Sequence, residues 1–334
     1  MGLAVEMRGP SWLTTDQEHR FLYTIGAPAS ATNPDLRGGA VSSFSIDPKT
    51  GALTYMNSAP AGGRGPAQIN LDKTGKILFV ANYGNGTVSS LAIKDDGSLG
   101  AQTFMDQHTG TSVDPARQKG PHAHSVVVSP DNRYVFAPDL GLDKIYIYKI
   151  DLAKQTITAN DPAFATVNPG LGSRHFDFGT SGKFAYAVCE MGSSVVAFSY
   201  DASKGSLTAL QTISILPPDF KGVDQGSEIV VGRSGKYLYA SNQGPEGHSA
   251  DADGRITVFQ IDGKTGMVKP VQYMPTGGKE VRSFGIDPSG KYLVAGNGIT
   301  GMVAEFSIGS DGKLAPMKQI EVGSPAAFLF VPAP

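Results

Sequence analysis

Gly120-Pro-His-Ala-His-Ser-Val-Val-Val-Ser-Pro-Asp-Asn-Arg-Tyr-Val-Phe-Ala-Pro-Asp139 reads as two short strands around a tight turn. Val126 to Val128 is one apolar run and Tyr134 to Ala137 the other. Between them, Ser129-Pro-Asp-Asn132 is turn chemistry, because proline fixes φ and Asp and Asn tolerate the bend. His122 and His124 stand at the entrance of the first strand and Asp139 at the exit of the second. In an antiparallel pair those two ends share one edge, so the hairpin carries polar chemistry at one end and its turn at the other.

The layout recurs with a period of roughly 50 to 57 residues. The second strand of each unit is Phe21 to Ile25, Ile77 to Ala81, Tyr134 to Ala137, Phe184 to Val188, Tyr237 to Ser241 and Tyr292 to Gly296. A third strand follows each, at Ala40 to Ile46, Thr87 to Ile93, Lys144 to Ile150, Ser194 to Tyr200, Ile256 to Ile261 and Met302 to Ile308. Asp/Gly turns such as Asp72-Lys-Thr-Gly75 and Asp287-Pro-Ser-Gly290 separate them, and a less regular fourth strand closes each unit. Short β-branched and aromatic runs exclude a helical solenoid. The expectation is an all-β chain, a β-propeller of four-stranded antiparallel blades forming a single domain over residues 1–334. Six repeats are complete, and either the ring closes on six blades or a seventh is incomplete. Ser324 to Pro332 reads as the first strand of that seventh unit and Met1 to Met7 as its fourth.

Composition sets the bounds. A formal charge of -2 over 334 residues lacks the basic stripe of a nucleic-acid binder. The 42 glycines suit many tight turns. Cys189 stands alone, which excludes an intrachain disulfide and a multi-cysteine metal site. No apolar run approaches the roughly 18 residues that cross a membrane as a helix. The first residues carry no signal-peptide pattern, so the expectation is a cytoplasmic protein, a monomer or weak homo-oligomer, without cofactor and without a nucleic-acid or membrane partner.

Aligning the units on their first turn stacks the polar residues. One position at the start of the first strand holds Ala67, His124, Arg174, Ser227 and Arg282, and the next holds Gln68, Ser125, His175, Glu228 and Ser283. After the second strand come Asn82, Asp139, Cys189, Asn242 and Asn297, then Tyr83, Leu140, Glu190, Gln243 and Gly298. Bases and acids from remote parts of the chain are thereby expected at one channel mouth, the usual composition of a substrate site on a rigid scaffold. Each residue has a plainer reading. Arg174 and Arg282 could pair with acids to tie blades together, and Glu190 could be a general base or the partner of Arg174. His124 could be catalytic or structural. His122 and His124 could ligate a metal, yet a third ligand is arguable only from Glu190, Glu228 or Asp139, so no metal is expected. Asn82 could form a turn or bind a ligand, and Cys189 reads as a small core residue. The Gln243 to Gly254 insertion, with His248 and Asp251, reads as a solvated loop or lid.

The Gly120 to Ser125 segment followed by Pro138-Asp-Leu-Gly-Leu-Asp143 resembles the propeller lactonase family, the 6-phosphogluconolactonase type, whose relatives include fungal carboxymuconate-lactonizing enzymes. Further matches are Asp114-Pro-Ala-Arg-Gln118, Gly172-Ser-Arg-His175, Val80-Ala-Asn-Tyr-Gly84 and the Glu228-Ile229 pair. The resemblance implies a seven-bladed propeller and roles for a histidine of the His122/His124 pair, for Arg174 and for Glu190. The chain departs twice: three strands that begin the family are absent, and the family's Ser-Asn-Arg is here Ser241-Asn-Gln243.

The expected reaction is hydrolysis of 6-phosphogluconolactone or a related small-molecule lactone, by water attacking the ester carbonyl. His124, Arg174, Glu190 and His122 are the candidates for catalysis. Arg282, Glu228, His175, Asp139, Asn82, Gln243 and Arg117 are the candidates for substrate binding, with Arg174 and Arg282 facing anionic groups. Lactonization of a carboxymuconate and a non-enzymatic binding platform are the alternatives.

Overall fold

A computed structural model describes residues 2–29, 33–244 and 253–331, which form six four-stranded antiparallel sheets and one two-stranded sheet. In every four-stranded sheet the strands lie side by side in chain order. Only in the first does a short strand intervene, Ala27–Pro28, which pairs with Met7–Arg8. The all-β architecture of six complete antiparallel blades is therefore the one expected. Among the described residues the single helical element is a 3-10 turn at Pro34–Gly38.

The chain divides into two compact units. The first spans 1–142, 146–163 and 331–334, and holds the first three sheets apart from a few residues of the third. The second spans 143–145 and 164–330 and holds the remaining three.

Burial explains the sequence pattern. The strands Ile77–Asn82 and Tyr134–Asp139 are buried at every residue, so they read as continuous apolar runs rather than alternating ones. The fourth strands Thr156–Thr166, Ser206–Ser214 and Leu314–Glu321 are exposed at most positions, which is why their sequence is irregular. The turns are locked from within. In the second sheet the Asp72 carboxylate accepts from the Thr74, Lys76 and Ile77 N–H groups at 2.7 to 2.9 Å. Gly75 closes that turn at φ +70, a conformation glycine adopts without strain.

Two side-chain devices join consecutive sheets within each unit. The first is an amide that imitates backbone. Asn57 donates from Nδ2 to the Leu99 carbonyl (2.8 Å) and accepts from the Leu99 N–H (2.9 Å). Gln211 does the same at Val268 and Gln272 at Leu314. The second is an aromatic pair around a turn glycine. The Tyr23 hydroxyl donates to the Gly97 carbonyl (2.9 Å), while a Cβ at Gly97 would lie 2.4 Å from the Phe21 ring. Tyr186 with Phe184 repeats this at Gly266, and Tyr239 with Tyr237 at Gly312. Gln211→Ala would leave both polar groups of buried Val268 without their partner. It is expected to cost about 1–3 kcal/mol of unfolding free energy, read from urea melts.

The chain ends correct the sequence reading. Residues 324–331 form no strand. Their aromatic residues instead cover the sixth sheet at its glycines. A Cβ at Gly285 would lie 2.9 Å from the Phe330 ring, and one at Gly296 would lie 3.0 Å from that of Phe328. Packing thus satisfies the apolar alternation without ladder hydrogen bonds. At the other end, residues 2–6 are not strand, and Met7–Arg8 pairs with Ala27–Pro28 rather than with a C-terminal partner.

Candidate active site

In the first unit the predicted residues gather around Tyr83. His122 stacks on its ring, with centroids 4.5 Å apart and planes at 24°. His124 meets the same ring edge-on at 5.3 Å, and Arg117 donates from Nη2 to the Tyr83 hydroxyl at 3.2 Å. The His122 Nδ1 lies 2.9 Å from the Tyr83 carbonyl oxygen. A carbonyl only accepts, so the hydrogen sits on Nδ1, and Nε2 of the neutral ring is a lone-pair acceptor. His122, Tyr83 and Arg117 are half-buried, whereas His124 is 6% exposed.

The loop that brings Arg117 there is tied down locally. The Asp114 carboxylate accepts from the Ala116 and Arg117 N–H groups, and these bonds hold its pKa below the ordinary carboxylate value. Gln118, wholly buried, donates to the Leu140 carbonyl.

Asp139 has a place of its own. One oxygen accepts from the His122 N–H (2.8 Å) and the Gly141 N–H (3.0 Å). The other faces His108 Nδ1 at 2.6 Å. Its side chain is fully enclosed. The expected ligand contact is therefore replaced by a grip on the His122 main chain. Gly141 is required for the approach, because a Cβ there would lie 1.9 Å from the Gly120 carbonyl oxygen. Asn82 is likewise fully buried and donates to the Ala61 carbonyl at 3.1 Å, a long-range tie rather than a turn of its own.

In the second unit a different cluster forms. Arg174 donates from Nε to Glu190 Oε2 (2.9 Å) and from Nη1 to the Ser227 carbonyl (2.7 Å). The two side chains are buried together, so Glu190 is the partner of Arg174. Burial lowers the Arg174 pKa from its usual value, and the Glu190 charge opposes that shift. His175 Nδ1 lies 2.8 Å from Glu228 Oε1, which also accepts from the Ile229 N–H, while Ser283 donates to Oε2 at 3.3 Å. Glu228 thus sets the His175 tautomer, with the hydrogen on Nδ1. Burial pushes the His175 pKa below the ordinary histidine range; Glu228 opposes this, and the charges of Arg174 and Arg282 add to it. Arg282 is half-buried, and among the described residues its guanidinium makes no hydrogen bond or ion pair. Gln243 accepts from the Ser227 hydroxyl and donates to Gln225 Oε1, each at 3.3 Å. The Cys189 thiol is buried and its pKa is driven up, mainly by desolvation, as for a core residue.

Sequence reasoning missed His108, Tyr148 and Asp177. His108 directly follows the fourth strand of the second sheet, Leu99–Gln107, at the start of the long loop that leads to His122, and that adjacency was the available signal. Asp177 lies two residues beyond His175. Desolvation raises its pKa to about 6, although it accepts from the Val231 and Phe178 N–H groups. His248 and Asp251 of the expected lid lie outside the described residues. Among the described residues no group of three or more His, Cys, Asp or Glu is placed to hold a metal ion.

The family model for "Lactonase, 7-bladed beta-propeller" matches residues 1–330. The 6-phosphogluconolactonase of Bacillus subtilis is 32% identical over 304 residues, 91% of this chain and 81% of that protein. The 6-phosphogluconolactonase of Formosa agariphila is 32% identical over 311 residues, 92% and 84% of the two chains. Among solved structures, the periplasmic gluconolactonase of Pseudomonas aeruginosa superposes with a TM-score of 0.87 at 31% identity, covering 97% of this chain and 89% of that one. With its four-stranded antiparallel blades and a family match over nearly its whole length, the chain belongs to the lactonase family of seven-bladed β-propellers.

Proposed function

We propose that this chain hydrolyses 6-phosphogluconolactone or a closely related sugar lactone, with His122 as general base. The names of its relatives in Bacillus subtilis and Formosa agariphila support the substrate. The observation that carries the base is the His122 ring itself. Its Nδ1 hydrogen is committed to the Tyr83 carbonyl, its plane is fixed by the stack, and it is half-buried rather than sealed.

In this reading Nε2 takes a proton from water as the oxygen attacks the ester carbonyl. The tetrahedral oxyanion collapses, the bond to the ring oxygen breaks, and the proton on Nε2 passes to that leaving oxygen. The neutral ester becomes a carboxylic acid, which ionises. Arg117, fixed at the Tyr83 hydroxyl, supplies the positive charge for the substrate phosphate. Tyr83 is the platform that orients both side chains.

Proton release from 6-phosphogluconolactone and from glucono-lactone, side by side and with chelator present, tests the assignment. Arg117→Ala is expected to raise KM for the phosphorylated lactone about tenfold or more and to change KM for the unphosphorylated one less than threefold. Equal effects on both lactones would remove Arg117 from phosphate recognition.

A second reading is favoured by the Glu228–His175 pair beside Arg282 in the second unit, since a carboxylate-held imidazole near an open guanidinium suits the same chemistry. His175 is 3% exposed, which is why it stands second. Full turnover in His122→Gln, together with loss of turnover in His175→Gln, would reverse the order.

A further inference from the structure

The geometry points to His108 as a positioning residue for lactone hydrolysis: from a buried site it fixes Asp139, whose other oxygen holds the main chain that carries His122. The inference rests on His122 being the base.

The His108 ring is held on three sides. Nδ1 lies 2.6 Å from Asp139 Oδ2, and Nε2 lies 2.8 Å from the Tyr148 hydroxyl. Tyr146 stacks on its face with centroids 3.6 Å apart and planes at 12°. The His108 and Asp139 side chains both have 0% exposure, so water does not substitute for either partner. The Tyr148 hydroxyl also bonds to Asp106 Oδ2 at 2.9 Å, which ties the outer end of the ring to a second carboxylate. The Tyr148 pKa is raised well above its ordinary value, by burial first and by Asp106 next, which keeps that hydroxyl a donor. The Asp139 carboxylate accepts from Nδ1–H, and with Nε2 at the Tyr148 hydroxyl both ring nitrogens are engaged, so the ring has no freedom to turn.

The consequence runs through Asp139. Its Oδ1 aligns the His122 and Gly141 N–H groups, and the His122 ring follows its own backbone onto Tyr83. If His108 is removed, Oδ2 loses the 2.6 Å partner that holds it in a buried site. The carboxylate then gains by rotating, or by opening the loop to water, and either movement releases the His122 N–H. A shift of about 1 Å at a reacting group costs about a hundredfold in rate.

The test measures kcat, KM and the nitrogen-bound imidazole proton resonances in wild type, His108→Phe, His108→Gln and His122→Gln. His108→Phe is expected to stay folded, to lose about tenfold to a hundredfold in kcat with KM within about twofold, and to lose the slowly exchanging Nδ1–H of His122. His108→Gln returns one donor to Asp139 and is expected to recover most of that kcat. A structural role alone would move melting temperature without this split or this resonance. Wild-type kcat in folded His108→Phe, with His122→Gln inactive, overturns this inference alone. Wild-type kcat in His122→Gln overturns the reading beneath it. Should His108→Phe fail to fold, Tyr148→Phe decides. It cuts only the outer bond, so a few-fold fall in kcat at constant KM supports the inference and an unchanged kcat overturns it.

Discussion

Replacing His122 by glutamine is expected to lower kcat by about 10²- to 10⁴-fold, with KM changed far less. Glutamine keeps a donor for the Tyr83 carbonyl and much of the planar contact with the Tyr83 ring, so the platform stays in place. What it loses is the basic Nε2. An amide oxygen accepts a hydrogen bond but does not take a proton from water near neutral pH, and that difference acts in the transition state rather than on binding. The His122 N–H to Asp139 bond is backbone and survives the change. Stopped-flow proton release on freshly generated lactone gives kcat, and an unchanged melting temperature shows that the loss is chemical. A folded variant within threefold of wild-type kcat would remove His122 from the chemistry.

The largest stability effect is expected at Arg174. This side chain is 1% exposed, and its charge is met by Glu190 at 2.9 Å and by the Ser227 carbonyl at 2.7 Å. Arg174→Met would leave a carboxylate in a site with little water and a carbonyl without its donor. Breaking such a pair from one side costs about 3–5 kcal/mol. Removing both charges is different, because the desolvation cost of the ions goes with them. Arg174→Met with Glu190→Met is therefore expected to recover most of the loss, and urea melts of the four proteins give the coupling directly. A single-variant cost below about 1 kcal/mol would mean that water reaches Glu190 and that the pair is not sealed. Activity in the double variant then separates tying the fold from acting on the substrate, a distinction that loss of activity in Arg174→Ala alone would not draw.

The blade pattern was legible because its causes are local. Asp-x-x-Gly turns close on their own side chains, and second strands buried throughout have no polar face to interrupt them. The aromatic pairs Phe21/Tyr23, Phe184/Tyr186 and Tyr237/Tyr239 were visible as strands, whereas their glycine partners lie more than 70 residues further on and follow from the stacking of sheets. The site was legible in the same partial way. Aligning turns brought out Arg174, His175, Glu228 and Arg282, which the structure places in one cluster. The sequence left Glu190 either a base or the partner of Arg174, and deciding between these, like matching Glu228 to His175, depends on side-chain direction as well as position. His108 escaped because it directly follows an irregular fourth strand, where the repeat is weakest. The C-terminal segment misled because alternating Phe328 and Phe330 suit a strand and also suit two glycines open to packing.

The amide clasps at Leu99, Val268 and Leu314 have an implication for how such chains grow. Each clasp reads only main-chain atoms of its neighbour, so it places no demand on that neighbour's side chains. A gene segment encoding one repeat therefore carries its own connector, and a duplicated copy meets a compatible surface at once. Sequence can drift afterwards on every face the clasp ignores, which leaves the loops free to acquire new chemistry while the join between copies stays the same.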